Sequence, residues 1–271
     1  MMKNIKTFIF VLSVLFSLNA VAQCKLSNTY FQAGEELTMD LYFKYGLINM
    51  KAGTSKLTTV SENYNGQEAY KMTLLAASSG NARKIFPLND TLSCYMTKDL
   101  VPLAYIKNAR EDDDYTQERV KYSYANGLVS INTKRTKNGG FRFDETLTST
   151  TCIYDMMSVV YYARALDYTS MKKGDTNKVS FISGKNKVSM VIEHDGLETI
   201  EANDGKKYRC IKLVLSIMDD AFSDKKEAMK VYITNDSNHM PVRLDSKLKI
   251  GSTRAILRSH KGTRYPVQSF N

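Results

Sequence analysis

The chain has 271 residues, no tryptophan, and a net charge of +10 from 38 basic and 28 acidic side chains. That length allows one large β domain or two small ones. None of the three histidines has a partner at i+3 or i+4, the four cysteines form no C-x-x-C, and there is no P-loop, G-x-S-x-G or H-E-x-x-H. The common zinc, dithiol, nucleotide and serine-hydrolase motifs are therefore excluded.

Residues 1–22 read as a secretory signal. Lys3 and Lys6 form its positive start, residues 8–18 are an apolar run too short for a comfortable membrane span, and Ala20-Val21-Ala22 is a cleavage site. Cleavage leaves Gln23 as the new N-terminus and a net charge of about +8. Cys24 follows Gln23, where a lipobox needs a small residue. Soluble export to the periplasm or cell surface is expected, with a lipid anchor at Cys24 as the alternative. The charge suits anionic envelope material (lipid head groups, lipopolysaccharide, acidic glycan) better than nucleic acid, the plainer reading being a basic soluble surface. Export also favours oxidation of Cys24, Cys94, Cys152 and Cys210, for which three full pairings are open; buried thiols are the alternative.

Leu37, Met39, Leu41 and Phe43 alternate with Thr38, Asp40 and Tyr42, which predicts a half-buried strand. Asn65-Gly66 marks a tight turn, and residues 70–74 and 91–96 resume strand patterns. The acidic run at 111–114 lacks the D-x-D-x-D-G spacing of a calcium loop and reads as a solvated loop. Residues 120–124, Asn126-Gly127 and residues 128–131 form the clearest hairpin, and Asn138-Gly139-Gly140 marks another turn.

Residues 151–167 give the one convincing helix. Thr151 is the expected N-cap and Asp155 falls in or near the first turn. Ile153, Met156, Met157 and Val160 form an apolar stripe onto which Arg164 projects, while Asp155, Ser158 and Tyr162 cluster opposite. Arg164 is read either as a C-terminal charge serving the last carbonyls or as a buried cation awaiting a carboxylate or anionic ligand. Beyond the helix, strand patterns return around Val179, Val188, Ile211–Ile217, Val231 and Leu244, with turns at Asp195-Gly196 and Asp204-Gly205.

The two halves run in parallel. Gly34, Gly66, Tyr70, Tyr95 and Pro102 correspond to Gly174, Gly205, Tyr208, Tyr232 and Pro241 at nearly constant offset. The expected fold is mainly β, with two tandem antiparallel curved-sheet or half-barrel units joined by one central helix. The expected boundaries are 23–150, 151–167 and 168–271, in one compact domain.

The opening GEELTMDLYFKYGLINMKAG (residues 34–53), the central D-x-x-S-x-x-x-Y-x-R (Asp155, Ser158, Tyr162, Arg164) and the late YITNDSNHMPVRL (residues 232–244) resemble the domain-of-unknown-function 3108 family of exported bacterial proteins. The likeness implies no activity and carries over no catalytic residue. The signal and the Gln after its cleavage site resemble those of the Bacteroidetes, and Asp90-Thr91-Leu92 resembles their O-glycosylation site.

No cofactor or metal is predicted. The expected function is a non-enzymatic envelope scaffold for a hydrophobic or anionic component, a carrier resembling the LolA-type lipoprotein chaperones. Met156, Met157, Val160 and Arg164 are its candidate ligand contacts, since methionine adapts to varied apolar surfaces. Arg254, Arg258, Lys261 and Arg264 are candidate anion contacts, a charge-guarded sheet edge being the plainer reading. An assembly factor that binds a protein partner, and an enzyme centred on Asp155, are the alternatives.

Overall fold

The computed structural model describes residues 24–271 apart from Phe86, Asp220 and Ile250; the expected signal at residues 1–22 lies outside the described residues. The first arm contains β1 (Glu36–Tyr45), β2 (Ile48–Tyr64), β3 (Gln67–Ser78), the single turn α1 (Ala82–Ile85), β4 (Leu88–Thr97), β5 (Pro102–Glu111), β6 (Asp114–Ala125), β7 (Leu128–Lys137) and β8 (Gly140–Ser149). Helix α2 (Ser158–Arg164) follows. The second arm contains β9 (Thr176–Ser183), β10 (Asn186–Glu201), β11 (Lys207–Ile217), β12 (Met229–Thr234), β13 (Pro241–Lys247) and β14 (Ser252–Lys261). The mainly β expectation holds.

Each arm is a meander of sequential antiparallel strands, most of them joined by tight turns and two by longer connections, 79–87 and 218–228. At Asn126-Gly127 both central residues have positive φ, 50° and 73°, which matches the right-handed twist of the flanking strands. β1 pairs with β14, so the arms fuse into one antiparallel sheet of order β8-β7-β6-β5-β4-β3-β2-β1-β14-β13-β12-β11-β10-β9. The sheet curls until its two ends nearly meet. Thr133 on β7 donates to the Gly184 carbonyl at 2.9 Å, and Lys185 reaches Glu145 at 3.3 Å. Side-chain bonds, not a backbone ladder, bridge this gap.

The main core lies inside the curl. Met72, Cys94, Tyr105, Val120 and Ile131 of the first arm pack with Tyr161 of α2 and Ile192, Ile211 and Ile233 of the second. The helix thus plugs the sheet from within. It is shorter than the sequence predicts, because Tyr154 is held as a strand residue. Its N–H donates to the Ser180 carbonyl and its own carbonyl accepts from Ile182, a parallel bridge that covers the free edge of β9. Cys152 is disulfide-bonded to Cys24, while Cys94 and Cys210 are buried thiols.

Three further expectations change. Thr151 is no N-cap; Asp155 takes that role, its Oδ1 accepting from the N–H groups of Met157 and Ser158 at 2.9 and 2.8 Å. Asp195-Gly196 is not a turn. β10 runs through it with a register shift between His194 and Leu197, and Gly196 at φ +93° supplies the bulge. β14 is not an edge but the centre of the sheet, between β1 and β13.

Candidate functional site

Alternation along β11–β13 sorts side chains by face. Leu213, Leu215, Val231, Ile233 and Leu244 point into the curl. Opposite them α2 presents Val159, Val160 and Ala163, and the turn that leads into it adds Met156, at three- and four-residue spacing. Between helix and sheet lies an apolar cavity of about 220 Å³. An engineered apolar cavity of about 150 Å³ accepts benzene, whereas pockets that hold a drug-sized ligand begin near 300 Å³. The space therefore suits one alkyl chain and not a whole lipid.

The cavity has a direction. Met229 pairs with Leu215 and Ser246 at one end of β12, and Ile233 pairs with Ile211 and Pro241 at the other. Four residues of strand span about 13 Å, and Met156 to Arg164 along the helical segment spans about 12 Å. Met156 is exposed and Phe222, Met229 and Leu244 are half-buried, which marks the mouth. Arg164 is 1% exposed and closes the floor.

Arg164 is fully engaged there. Its Nη1 and Nη2 donate to the two carboxylate oxygens of Glu35 at 2.6 and 3.0 Å, Nη2 also to the Asn238 carbonyl at 3.1 Å, and Nε to the His239 carbonyl at 3.2 Å. The guanidinium faces the rings of Phe31 and Tyr161. His239 returns a bond from Nδ1 to the Arg164 carbonyl at 2.9 Å and stacks on Tyr30 at 4.1 Å. Burial lowers its pKa, so the ring is neutral and Nδ1 carries the proton. The cation seen in the sequence has its carboxylate within the chain. Glu35 appeared in the sequence only as the residue after Gly34, and nothing marked it as this partner.

Of the other predicted ligand contacts, Met156 and Val160 line the cavity. Met157 turns away into the core. Val159 and Ala163 line it without having been singled out. The four predicted anion contacts do not converge. Arg254 bonds Asp245 at 2.6 Å, Arg258 lies 3.4 Å from Asp40, Lys261 lies 3.4 Å from Glu36, and Arg264 donates to the Asn28 carbonyl at 2.9 Å.

Asp155 is sealed rather than poised. It is fully buried, and burial pushes its carboxyl up to about 6. Oδ2 has no hydrogen-bond partner, nor has the hydroxyl of nearby Tyr122. Burial holds the neighbouring Cys94 thiol well above its ordinary pKa, so it stays protonated and is a poor nucleophile. Thr91 of the glycosylation-like triplet sits half-buried in mid-β4, next to buried Asp90. Among the described residues no three His, Cys, Asp or Glu side chains are grouped to hold a metal, and no helix is long and apolar enough to cross a membrane.

Residues 38–258 match the family described as Protein of unknown function (DUF3108). The chain belongs to the DUF3108 family. Its match runs from β1 to β14 and so covers both arms and the cavity between α2 and the second arm. No curated protein matches this DUF3108 chain. Among solved structures, it is similar to a β-barrel-like protein of the DUF1849 family from Brucella abortus. That likeness has 9% identity and a TM-score of 0.60 over 88% of this chain and all of the other. A candidate exported protein with a YmcC-like fold from Bacteroides fragilis aligns at 11% identity and a TM-score of 0.35, over 88% and 99% of the two chains. A lipoprotein candidate from Parabacteroides distasonis aligns at 12% identity and 0.31, over the same shares. The first of these shows a shared barrel-like fold and nothing about activity.

Proposed function

We propose that this DUF3108 protein is an exported, non-catalytic envelope carrier that holds one apolar chain in the cavity under α2. The cavity itself carries the reading: a space of about 220 Å³ lined mostly by aliphatic, thioether and phenyl side chains, with a mouth at one end and a fixed floor. Filling it with a hydrocarbon gains about 0.8 kcal/mol per buried methylene. The secretory signature of residues 1–22 supports the compartment, as does the Cys24–Cys152 bond. The same bond argues against a lipid anchor, since the Cys24 sulfur cannot be both disulfide and thioether.

Within that reading, the arms are diverged copies of one unit, spanning 23–150 and 168–271 about the 151–167 connector. Matched local geometry supports this. Leu100 and His239 both adopt positive φ two residues before Pro102 and Pro241. Thr97 and Thr234 each accept at their side chain from the residue before that proline, Val101 and Met240. Register slips at Tyr95/Met96 and again at Tyr232/Ile233.

Native mass spectrometry with lipid extraction, on mature protein from its own envelope, tests the carrier. A stoichiometric alkyl-chain adduct is expected, and Ala163→Phe, which fills the cavity, removes it. A clean apo mass for the wild type sinks the reading.

A further inference from the structure

The cavity mouth opens at one end of the sheet, and the surface there is unlike the rest. Three connections meet at that end. Lys44 pairs with Ser252, which sets the β1–β2 turn beside the β13–β14 turn. Phe222 bridges Leu248, and the Lys249 N–H donates to the Ala221 carbonyl, which ties in the β11–β12 loop. At the tip of the β1–β2 turn stand Tyr45 and Leu47, 54% and 104% exposed, and Met218 on the β11–β12 loop is 55% exposed. A leucine wholly in water on a two-residue turn contributes nothing to this fold.

Basic residues surround these apolar tips. Lys44, Lys226 and Lys249 are exposed and make no ion pair among the described residues. On the outer face of the same end, between β1 and β12–β14, lies an open cleft of about 590 Å³. Lys44, Lys230, Arg243, Lys247 and Arg254 line it with Glu227 and Asp245; Lys230 and Lys247 share Glu227, and Arg243 and Arg254 share Asp245, so positive charge remains in excess. Arg243 lies over the Tyr232 ring at 5.4 Å, and its buried Nε has no hydrogen-bond partner. The alternation that turns Val231 and Leu244 into the cavity turns Lys230, Tyr232, Arg243 and Asp245 outward. Cleft and cavity are therefore separate sites on opposite faces of the same strands.

Exposed apolar tips with unpaired lysines on the same turns and loop, beside a cleft with more cations than carboxylates, match the chemistry of an anionic lipid surface. We propose that this end of the protein docks on an anionic membrane surface, with Leu47 and Tyr45 entering the interface and the cleft taking lipid phosphates. A tyrosine suits the boundary, since its ring is apolar and its hydroxyl wet. Arginine in the cleft suits phosphate, whose oxygens accept two N–H groups at once. Docking in this orientation points the cavity mouth at the bilayer, but the inference does not depend on what the cavity holds.

Co-sedimentation of the oxidised mature protein with vesicles tests it, using phosphatidylglycerol mixed into phosphatidylcholine against phosphatidylcholine alone. Binding is expected only to the anionic vesicles, with release in high salt. Leu47→Asp should weaken binding at least about tenfold, and Lys44→Ala and Lys249→Ala about fivefold each. All three side chains project into solvent, so an unchanged melting temperature confirms that each variant is folded. Ala163→Phe should bind vesicles as the wild type does, which separates this test from that of the carrier. Failure of the wild type to bind anionic vesicles, or equal binding by Leu47→Asp, overturns the proposal in favour of a protein contact at the tip.

Discussion

The bond network around Arg164 makes a strong demand on stability. It ties three distant parts of the chain: the end of α2, Glu35 at 129 residues' separation, and the β12–β13 turn at 74 and 75. Both side chains of the ion pair are 1% exposed. Replacing Arg164 by Met leaves the Glu35 carboxylate buried without a countercharge and strips two carbonyls of their donors. Removing one partner of such a pair costs about 3–5 kcal/mol, whereas replacing both by apolar groups costs far less. For a chain of this size that is a fall in melting temperature of about 10 °C. Urea unfolding of oxidised protein at pH 7, followed by circular dichroism, should show Arg164→Met and Glu35→Leu each losing most of this amount. The double variant should lose less than the sum. Single losses below about 1 kcal/mol, or strict additivity, would falsify the view that the pair is mutually dependent and cut off from water.

Two further outcomes follow from buried groups. The Cys24–Cys152 bond closes a loop across 128 residues, worth about 5 kcal/mol by restriction of the unfolded chain; a reductant that leaves the urea midpoint unchanged would contradict this. Asp155, raised to about 6 from 3.8, binds its proton more tightly in the folded chain. Its contribution is therefore most favourable below about pH 4 and is lost as pH rises to about 6. Asp155→Asn keeps the cap acceptor and should be more stable than wild type by up to about 3 kcal/mol at pH 8. The gap should vanish near pH 4; a gap that does not vary with pH would rule out the buried-charge account.

The strands were legible because one face of a curved sheet is buried, so period-two alternation survives in the sequence, and because Asn126-Gly127 names its own turn. What alternation cannot carry is pairing order. Nothing local says that β14 pairs with β1, so Arg254 and Arg258 read as guards of an edge that does not exist. Asp195-Gly196 misled because a bulge and a turn ask the same backbone conformation of glycine. The sequence predicts a helix of nearly five turns because its apolar spacing continues through Ile153, while a disulfide and an edge bridge, both set by tertiary contacts, hold that stretch extended. Arg164 was visible as an oddity on an apolar stripe, but its partner was beyond any window of sequence. The cavity was half legible: the right helix, with Met157 pointing the wrong way and Ala163 unremarked.

That alanine bears on whether the cavity is a site or a flaw. An enclosed apolar cavity of about 220 Å³ would cost up to about 5 kcal/mol relative to a filled interior, at about 24 cal/mol per Å³, and the open mouth lowers that figure. A single larger side chain at Ala163 would recover part of this, since burying a phenylalanine side chain is worth about 1.5–3 kcal/mol. The chain instead keeps an alanine facing Leu213, Val231 and Ile233, and carries a long-range disulfide whose stabilisation is of similar size. A flaw and a site respond differently to repair. If the space is only a flaw, Ala163→Phe raises the unfolding midpoint and changes nothing else. If it is a site, the same substitution raises the midpoint of the empty protein and abolishes the bound chain. Stability and binding then move in opposite directions, an outcome that packing alone does not produce.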